Sequence, residues 1–194
     1  MTQAPQLVTE RLVLSQVQMD DARDIYQYSQ NPNVLRFTTG SPPRDISDTE
    51  DFVRGLLNKP QTSYSWSIRI TNRPAVIGIM EFVITESDST VGAVDYGIAE
   101  EFWNLGYMTE AVTSVIDWAF QSIPSLERIT SAAMTTNPAS TRVQAKCGMK
   151  LVRYEKRKWS KFPEPIESAH CEITREEWKT ANMRLQMQPR SGAH

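Results

Sequence analysis

The chain has 194 residues, 40% of them hydrophobic and 23% charged, with a formal net charge of -2. This length suits one domain with its own core, independent of metal or disulfide staples. The near-neutral balance offers no positive field for nucleic acid or an anionic membrane, and neither is expected as a partner.

Two cysteines, Cys147 and Cys171, have no metal or redox spacing. They suit reduced thiols in a cytoplasmic protein, and no metal is expected. The opening residues lack the basic start and apolar run of a signal peptide. No apolar stretch approaches the roughly 20 residues that span a bilayer.

Residues 8–16 alternate, with Leu12 and Leu14 against Arg11 and Ser15, and predict a first strand. Asp20 and Asp21 precede a helical face of Ala22, Ile25, Tyr26 and Ser29, which Asn31-Pro32 ends. A loop follows over residues 37–44, and Ser47 or Asp48 is expected to cap a second helix carrying Phe52, Val53, Leu56 and Leu57. Residues 64–71, 76–85 and 91–99 are β-branched or apolar runs joined by hairpin-type turns.

After Gly106 a helix begins whose stripe is Ala111, Val112, Val115, Ile116, Ala119 and Phe120, the clearest helical period in the chain. Pro124 ends it. A strand over residues 129–134 leads to a short helix opened by Asn137-Pro138 and closed by Gly148 in a left-handed conformation. Strands over 151–158 and 166–174 precede a terminal helix over 175–187, with a frayed tail expected at 188–194. The whole reads as one α/β (α+β) domain over residues 1–194, with its core over about 7–180 and a mixed, mostly antiparallel sheet of about seven strands flanked by helices.

The strand–Gly106–helix junction carries the chemistry. Gly106 allows a tight turn, and the first amides of the helix, from Leu105 to Thr109, have no partners within it. With the helix dipole they suit a phosphate or pyrophosphate. Glu110 complements the dipole, and is expected to turn sideways into a structural hydrogen bond rather than face a phosphate.

These segments, with Thr9-Glu10-Arg11-Leu12, Asn31-Pro32-Asn33-Val34, Trp66, Ile77-Gly78, Tyr96, Trp103 through Val112, Asn137, Ser140, Lys146-Cys147-Gly148 and Thr174 through Trp178, resemble in order the GCN5-related N-acetyltransferase (GNAT) superfamily, specifically its Rim-type branch, which includes ribosomal-protein N-terminal acetyltransferases. The resemblance implies an N-acetyltransferase using acetyl-coenzyme A and a primary amine, either a protein N-terminal α-amino group or a small molecule. The residues Trp103, Asn104, Leu105, Gly106, Tyr107, Met108 and Thr109 would form the pyrophosphate loop. Gly97, Ile98 and Ala99 would pair with the pantetheine arm, and Asn137 would bind the coenzyme arm. Two positions depart from the pattern: Asn104 stands where Gly is common, and Met108 where a small residue is common.

The reaction implied is direct attack of a neutral amine on a thioester, with an amide near Ile98 or Ala99 receiving the oxyanion. Many relatives carry a Tyr acid seven residues after the motif Asn; here that position is Gln144. Ser140 is the candidate acid within the Rim-type branch, and its alternative is to satisfy helix amides. Candidate bases are Asp95, Glu81 and His170. Arg142 and Lys146, one helical turn apart, could meet the adenosine phosphate, and the alternative is that one or both are solvated helix charges. The basic run Lys150, Arg153, Lys156, Arg157, Lys158 and Lys161 reads as the protection of an edge strand. A non-catalytic acyl-coenzyme A sensor is the alternative function, and a homodimer through the terminal strands stays open.

Overall fold

Eight strands hydrogen-bond in the order β1-β2-β3-β4-β5-β6-β8-β7, one more than the sequence suggests, in a computed structural model that describes residues 3–187. They are β1 (Leu7–Val8), β2 (Leu12–Gln16), β3 (Ser63–Ile70), β4 (Val76–Ile84), β5 (Val91–Ile98), β6 (Arg128–Met134), β7 (Lys150–Arg157) and β8 (Ile166–Thr174). The helices are α1 (Ala22–Ser29), α2 (Pro32–Leu35), α3 (Ile46–Leu57), α4 (Tyr107–Ser122), α5 (Pro138–Lys146) and α6 (Arg175–Met187). The expected fraying at 188–194 lies outside the described residues.

The extra strand arises because residues 8–16 are not one strand. Thr9 Oγ1 accepts from the Leu12 amide at 3.0 Å, and Thr9 N donates to Leu12 O at 2.9 Å. This local turn folds Leu7–Val8 back on Val13–Leu14, a hydroxyl competing with the extended ladder. The cap of α3 also differs from expectation. Asp45, extended at φ −152, accepts from Ser47 N at 2.9 Å, so the helix starts before Ser47. Asp48 instead accepts from the Arg44 guanidinium at 2.7 Å.

Each face of the sheet is covered by its own helices. On one, the α4 stripe of Ala111, Val112, Val115, Ile116, Ala119 and Phe120 packs on Leu12, Leu14, Trp66, Ile68, Met80, Phe82 and Val94. Trp118 meets the Tyr64 and Trp66 rings edge-on at 4.7 and 5.2 Å. On the other, α1 and α3 bury Ala22, Ile25, Val53 and Leu56 against Val17, Val76 and Ile79. Full burial of such side chains contributes roughly 1.5–3 kcal/mol each. Arg175 anchors the far end of α4 by donating to the carbonyls of Phe120, Ile123 and Leu126 at 2.5–2.7 Å.

The sheet is antiparallel except between β5 and β6, which pair in parallel only at Val91–Ala93 with Arg128–Thr130. Beyond that point the two strands separate. Ala99 N donates to Ile77 O and Thr85 N to Val91 O, so the odd residues of β5 spend their backbone groups on β4. By the alternation of an antiparallel ladder, Val94, Tyr96 and Ile98 turn theirs toward the gap. β7 is the outer edge strand, largely exposed and rich in Lys and Arg, as a charge-protected edge requires.

Candidate active site

A cleft of about 1200 Å³ occupies the gap and reaches both faces of the sheet. On the α4 side its wall is the loop from Trp103 to Thr109. Asn104 (φ 61) and Gly106 (φ 83) both adopt left-handed conformations, which turns the chain so that α4 begins at the cleft. Asn is the non-glycine residue that best tolerates this conformation, so the departure at Asn104 preserves the loop's path. Met108 is buried in the α4-side core, at the cleft's floor.

Not every residue expected in the loop faces the cleft. Trp103, Asn104, Gly106, Met108 and Thr109 line it, whereas Leu105 and Tyr107 do not. Leu105 O accepts from Arg11 Nη1 at 3.0 Å, and the Arg11 guanidinium lies 4.6 Å from the centre of the Tyr107 ring. Glu110 turns sideways as expected. It accepts from Thr9 Oγ1 at 2.5 Å, Arg11 N at 2.8 Å and Arg11 Nε at 2.7 Å. Burial alone would raise its pKa; those donors outweigh burial and hold the carboxyl below the usual range. The β1–β2 turn is thereby fastened to the start of α4.

Along β5, Gly97 and Ile98 line the cleft and Ala99 does not. Because the Ala99 amide is bonded to Ile77 O at 2.8 Å, the Ile98 amide is the one of the two expected oxyanion donors that lies on the open edge. Ile98 O accepts from Trp103 Nε1 at 2.9 Å, which ties the loop to the strand.

Opposite stands α5. Asn137 Oδ1 accepts from Ser140 N at 3.3 Å and caps this helix, while Asn137 also borders the cleft. With that amide satisfied, the Ser140 hydroxyl does not serve the helix start. It lies 2.9 Å from the hydroxyl of Tyr96, which also reaches Ser140 O at 3.2 Å. Burial raises the Tyr96 pKa, so the phenol keeps its proton. Gln144 is fully buried and donates to Ser131 Oγ at 3.0 Å. Arg142 and Lys146 line the same end of the cleft.

On the other face, Glu81 and Asp95 are directly opposite across β4 and β5 and share one side of the sheet. Lys59 Nζ forms an ion pair with Glu81. Asp95 has no cation of its own among the described ion pairs. Its side chain is exposed to solvent where it lines the cleft. Partial desolvation by the cleft walls, reinforced by the Glu81 charge and opposed by Lys59, lifts the Asp95 pKa above its ordinary value. His170 does not line the cleft; it sits 3.3 Å from Glu155 on β7, and burial with Arg153 nearby lowers its pKa.

Two residues of this site carry no assigned role in the sequence reading. Tyr96 lies between Asp95 and Gly97, and only its approach to α5 shows what its hydroxyl meets. Lys59 follows α3, 22 residues before its partner Glu81, and no periodicity links the two. Among the described residues no group of His, Cys, Asp and Glu could hold a metal ion, and no helix is long and apolar enough to cross a membrane.

Residues 11–150 match the family described as acetyltransferase (GNAT) domain. Over 139 residues the chain is 28% identical to the uncharacterized N-acetyltransferase p20 of Bacillus licheniformis, covering 71% of this chain and 78% of that protein. A GNAT-family acetyltransferase structure from Bacillus anthracis superposes with a TM-score of 0.79 at 19% identity, over 89% of this chain and 99% of that one. The microcin C7 self-immunity acetyltransferase MccE, solved with acetyl-CoA and AMP, gives 0.75 at 17% identity, over 86% and 93% of the two chains.

Proposed function

The chain belongs to the acetyltransferase (GNAT) family, and from that premise we propose that it transfers the acetyl group of acetyl-coenzyme A to a primary amine entering from the α1–α3 face. The observation that carries this reading is the separation of β5 from β6. It opens the start of α4 on one face onto the Glu81–Asp95 pair on the other, leaving strand amides between them.

The amides at the start of α4 suit the pyrophosphate, and Arg142 and Lys146 suit the adenosine phosphate. The open edge of Tyr96–Ile98 offers backbone groups to the pantetheine arm, and the Ile98 amide is placed for the oxyanion. Of the two acids, Glu81 is neutralised by Lys59, so Asp95 is the base. Asp95 takes the proton as the amine nitrogen bonds to the acetyl carbon; the carbon–sulfur bond breaks and Ser140 gives the sulfur a proton while regaining one from solvent, to which Asp95 then releases its own. The Tyr96 hydroxyl, 2.9 Å from Ser140 Oγ, holds the serine at the cleft. A thiol titrates near about 8.5 and needs little such help. This pair supplies the proton source that Gln144 cannot, which favours turnover over sensing. An α-amino acceptor, near about 7.7–8.0, needs less from Asp95 than a lysine near about 10.4, in keeping with the Rim-type resemblance.

The test is release of free thiol from acetyl-coenzyme A in the presence of a panel of peptides with free N-termini, lysine peptides and polyamines. Amine-dependent release, with the acetyl group recovered on nitrogen, is the expected result. Saturable coenzyme binding with no amine raising the rate above hydrolysis would contradict it and leave a sensor.

A further inference from the structure

Lys161, in the turn between β7 and β8, stands apart from the other basic residues of that region. Its Nζ lies 2.6 Å from Leu35 O, 3.1 Å from Thr38 O and 2.6 Å from Gly40 O. No carboxylate is within ion-pairing distance of it among the described residues, so the expectation that it merely guards an edge strand is corrected. Three carbonyl dipoles aimed at one point repel each other unless a cation sits there. An ammonium has three N–H groups, one for each.

The segment it holds runs from the last residue of α2 along the cleft, where Leu35, Phe37, Thr38 and Gly40 form part of the wall. The opposite end of α2 is also fastened. Asn31 caps the helix through Asn33 N at 3.0 Å, and the side chains of Asn31 and Asn33 donate to Glu100, the latter at 3.0 Å. Glu100 belongs to the turn that runs into Trp103 and the start of α4. So α2 and its following loop bridge the mouth of the cleft, held by the coenzyme loop at one end and by Lys161 at the other. Burial lowers the Lys161 pKa, in keeping with an ammonium partly withdrawn from solvent.

We propose that Lys161 is a positioning residue that shapes the acceptor side of the cleft: its ammonium clamps the 35–40 loop in place, and so sets the affinity for the amine without affecting coenzyme binding. The loop is on the α1–α3 side, whereas the α4 amides and α5 are held by Arg11, Glu110 and Asn137. The kinetic part rests on the acetyltransfer proposed above; the structural part does not.

The experiment compares full-length wild type, Lys161→Met, Lys161→Arg and the neighbouring control Lys158→Met by hydrogen–deuterium exchange, by calorimetric titration with acetyl-coenzyme A, and by steady-state kinetics with the best amine of the panel. Lys161→Met should speed exchange over residues 32–44 and leave α4 protected and coenzyme affinity unchanged. It should raise the KM for the amine on the order of tenfold with little change in kcat. Lys161→Arg should fall between, because a planar guanidinium cannot direct three donors to one point. Unaltered exchange in Lys161→Met, a looser loop with unaltered KM, or an equal effect of Lys158→Met would each overturn the proposal. If Lys161→Met fails to fold, the Lys161→Arg comparison decides by the same criteria. If wild type turns over no amine, the acetyltransfer reading fails by itself, and the exchange and titration data still decide whether Lys161 clamps the loop.

Discussion

Asp95→Asn is expected to lower kcat for amine acetylation by about two to three orders of magnitude, while the affinity for acetyl-coenzyme A stays at the wild-type value. The side chain keeps its shape and loses only its capacity to take a proton. Because desolvation by the cleft walls and the Glu81 charge lift the Asp95 pKa, the wild-type kcat/KM should rise with pH along a limb lying above the ordinary aspartate value of about 3.9. That limb should vanish in the Asn variant. The stability consequence has the opposite sign to that of a salt-bridged acid. With the folded pKa above the unfolded one, ionisation disfavours the folded state, so wild type loses stability relative to Asp95→Asn as pH climbs through the raised pKa. Stopped-flow thiol release and thermal melts across pH check both. A variant with wild-type kcat at every pH would remove Asp95 from the mechanism.

Gly78→Ala is expected to destabilise the fold by about 3 kcal/mol and to lower turnover on the order of a hundredfold even where the protein remains folded. A Cβ at Gly78 would stand 2.5 Å from Gly97 O, 3.2 Å from Ile98 Cα and 3.3 Å from Ile98 Cβ. The first two neighbours are backbone, which cannot rotate away as a flexible side chain would. β5 must therefore shift at the residues that present the Ile98 amide. A displacement near 1 Å at a reacting centre can cost on the order of a hundredfold in rate. Gly55→Ala is the contrast, since nothing lies within 4 Å of its Cβ. In the interior of α3 it should add up to about 1 kcal/mol. Urea unfolding of both variants measures the difference, and a Gly78→Ala protein as stable and active as wild type would refute the close-approach argument.

What could be read from the sequence follows the range of the forces involved. The stripe from Ala111 to Phe120 is a local period, and all six residues are buried where it places them. Gly106 and Gly148 signal left-handed turns by their residue type, and both have φ above 80°. Local competition was harder. Asp45, Ser47 and Asp48 can all cap a helix, and the ion pair of Asp48 with Arg44 decides among them. Thr9 likewise breaks a strand whose alternation continues through it. Non-local matters were out of reach: the register that faces Glu81 with Asp95 is set by the β4–β5 hairpin as a whole. The same holds for Lys59, for the Tyr96–Ser140 contact and for Lys161, whose partners lie more than a hundred residues away in the chain.

The start of α4 and the open edge of β5 are expected together to hold acetyl-coenzyme A. The most direct test is a titration of the isotope-labelled protein with acetyl-coenzyme A, followed amide by amide by two-dimensional NMR. Saturable shifts are expected, concentrated at Gly106, Tyr107, Met108 and Thr109 and at Tyr96 and Ile98, with α3 and the β1–β2 hairpin little changed. Saturation elsewhere with those amides unmoved, or no saturable shift at all, would contradict that expectation.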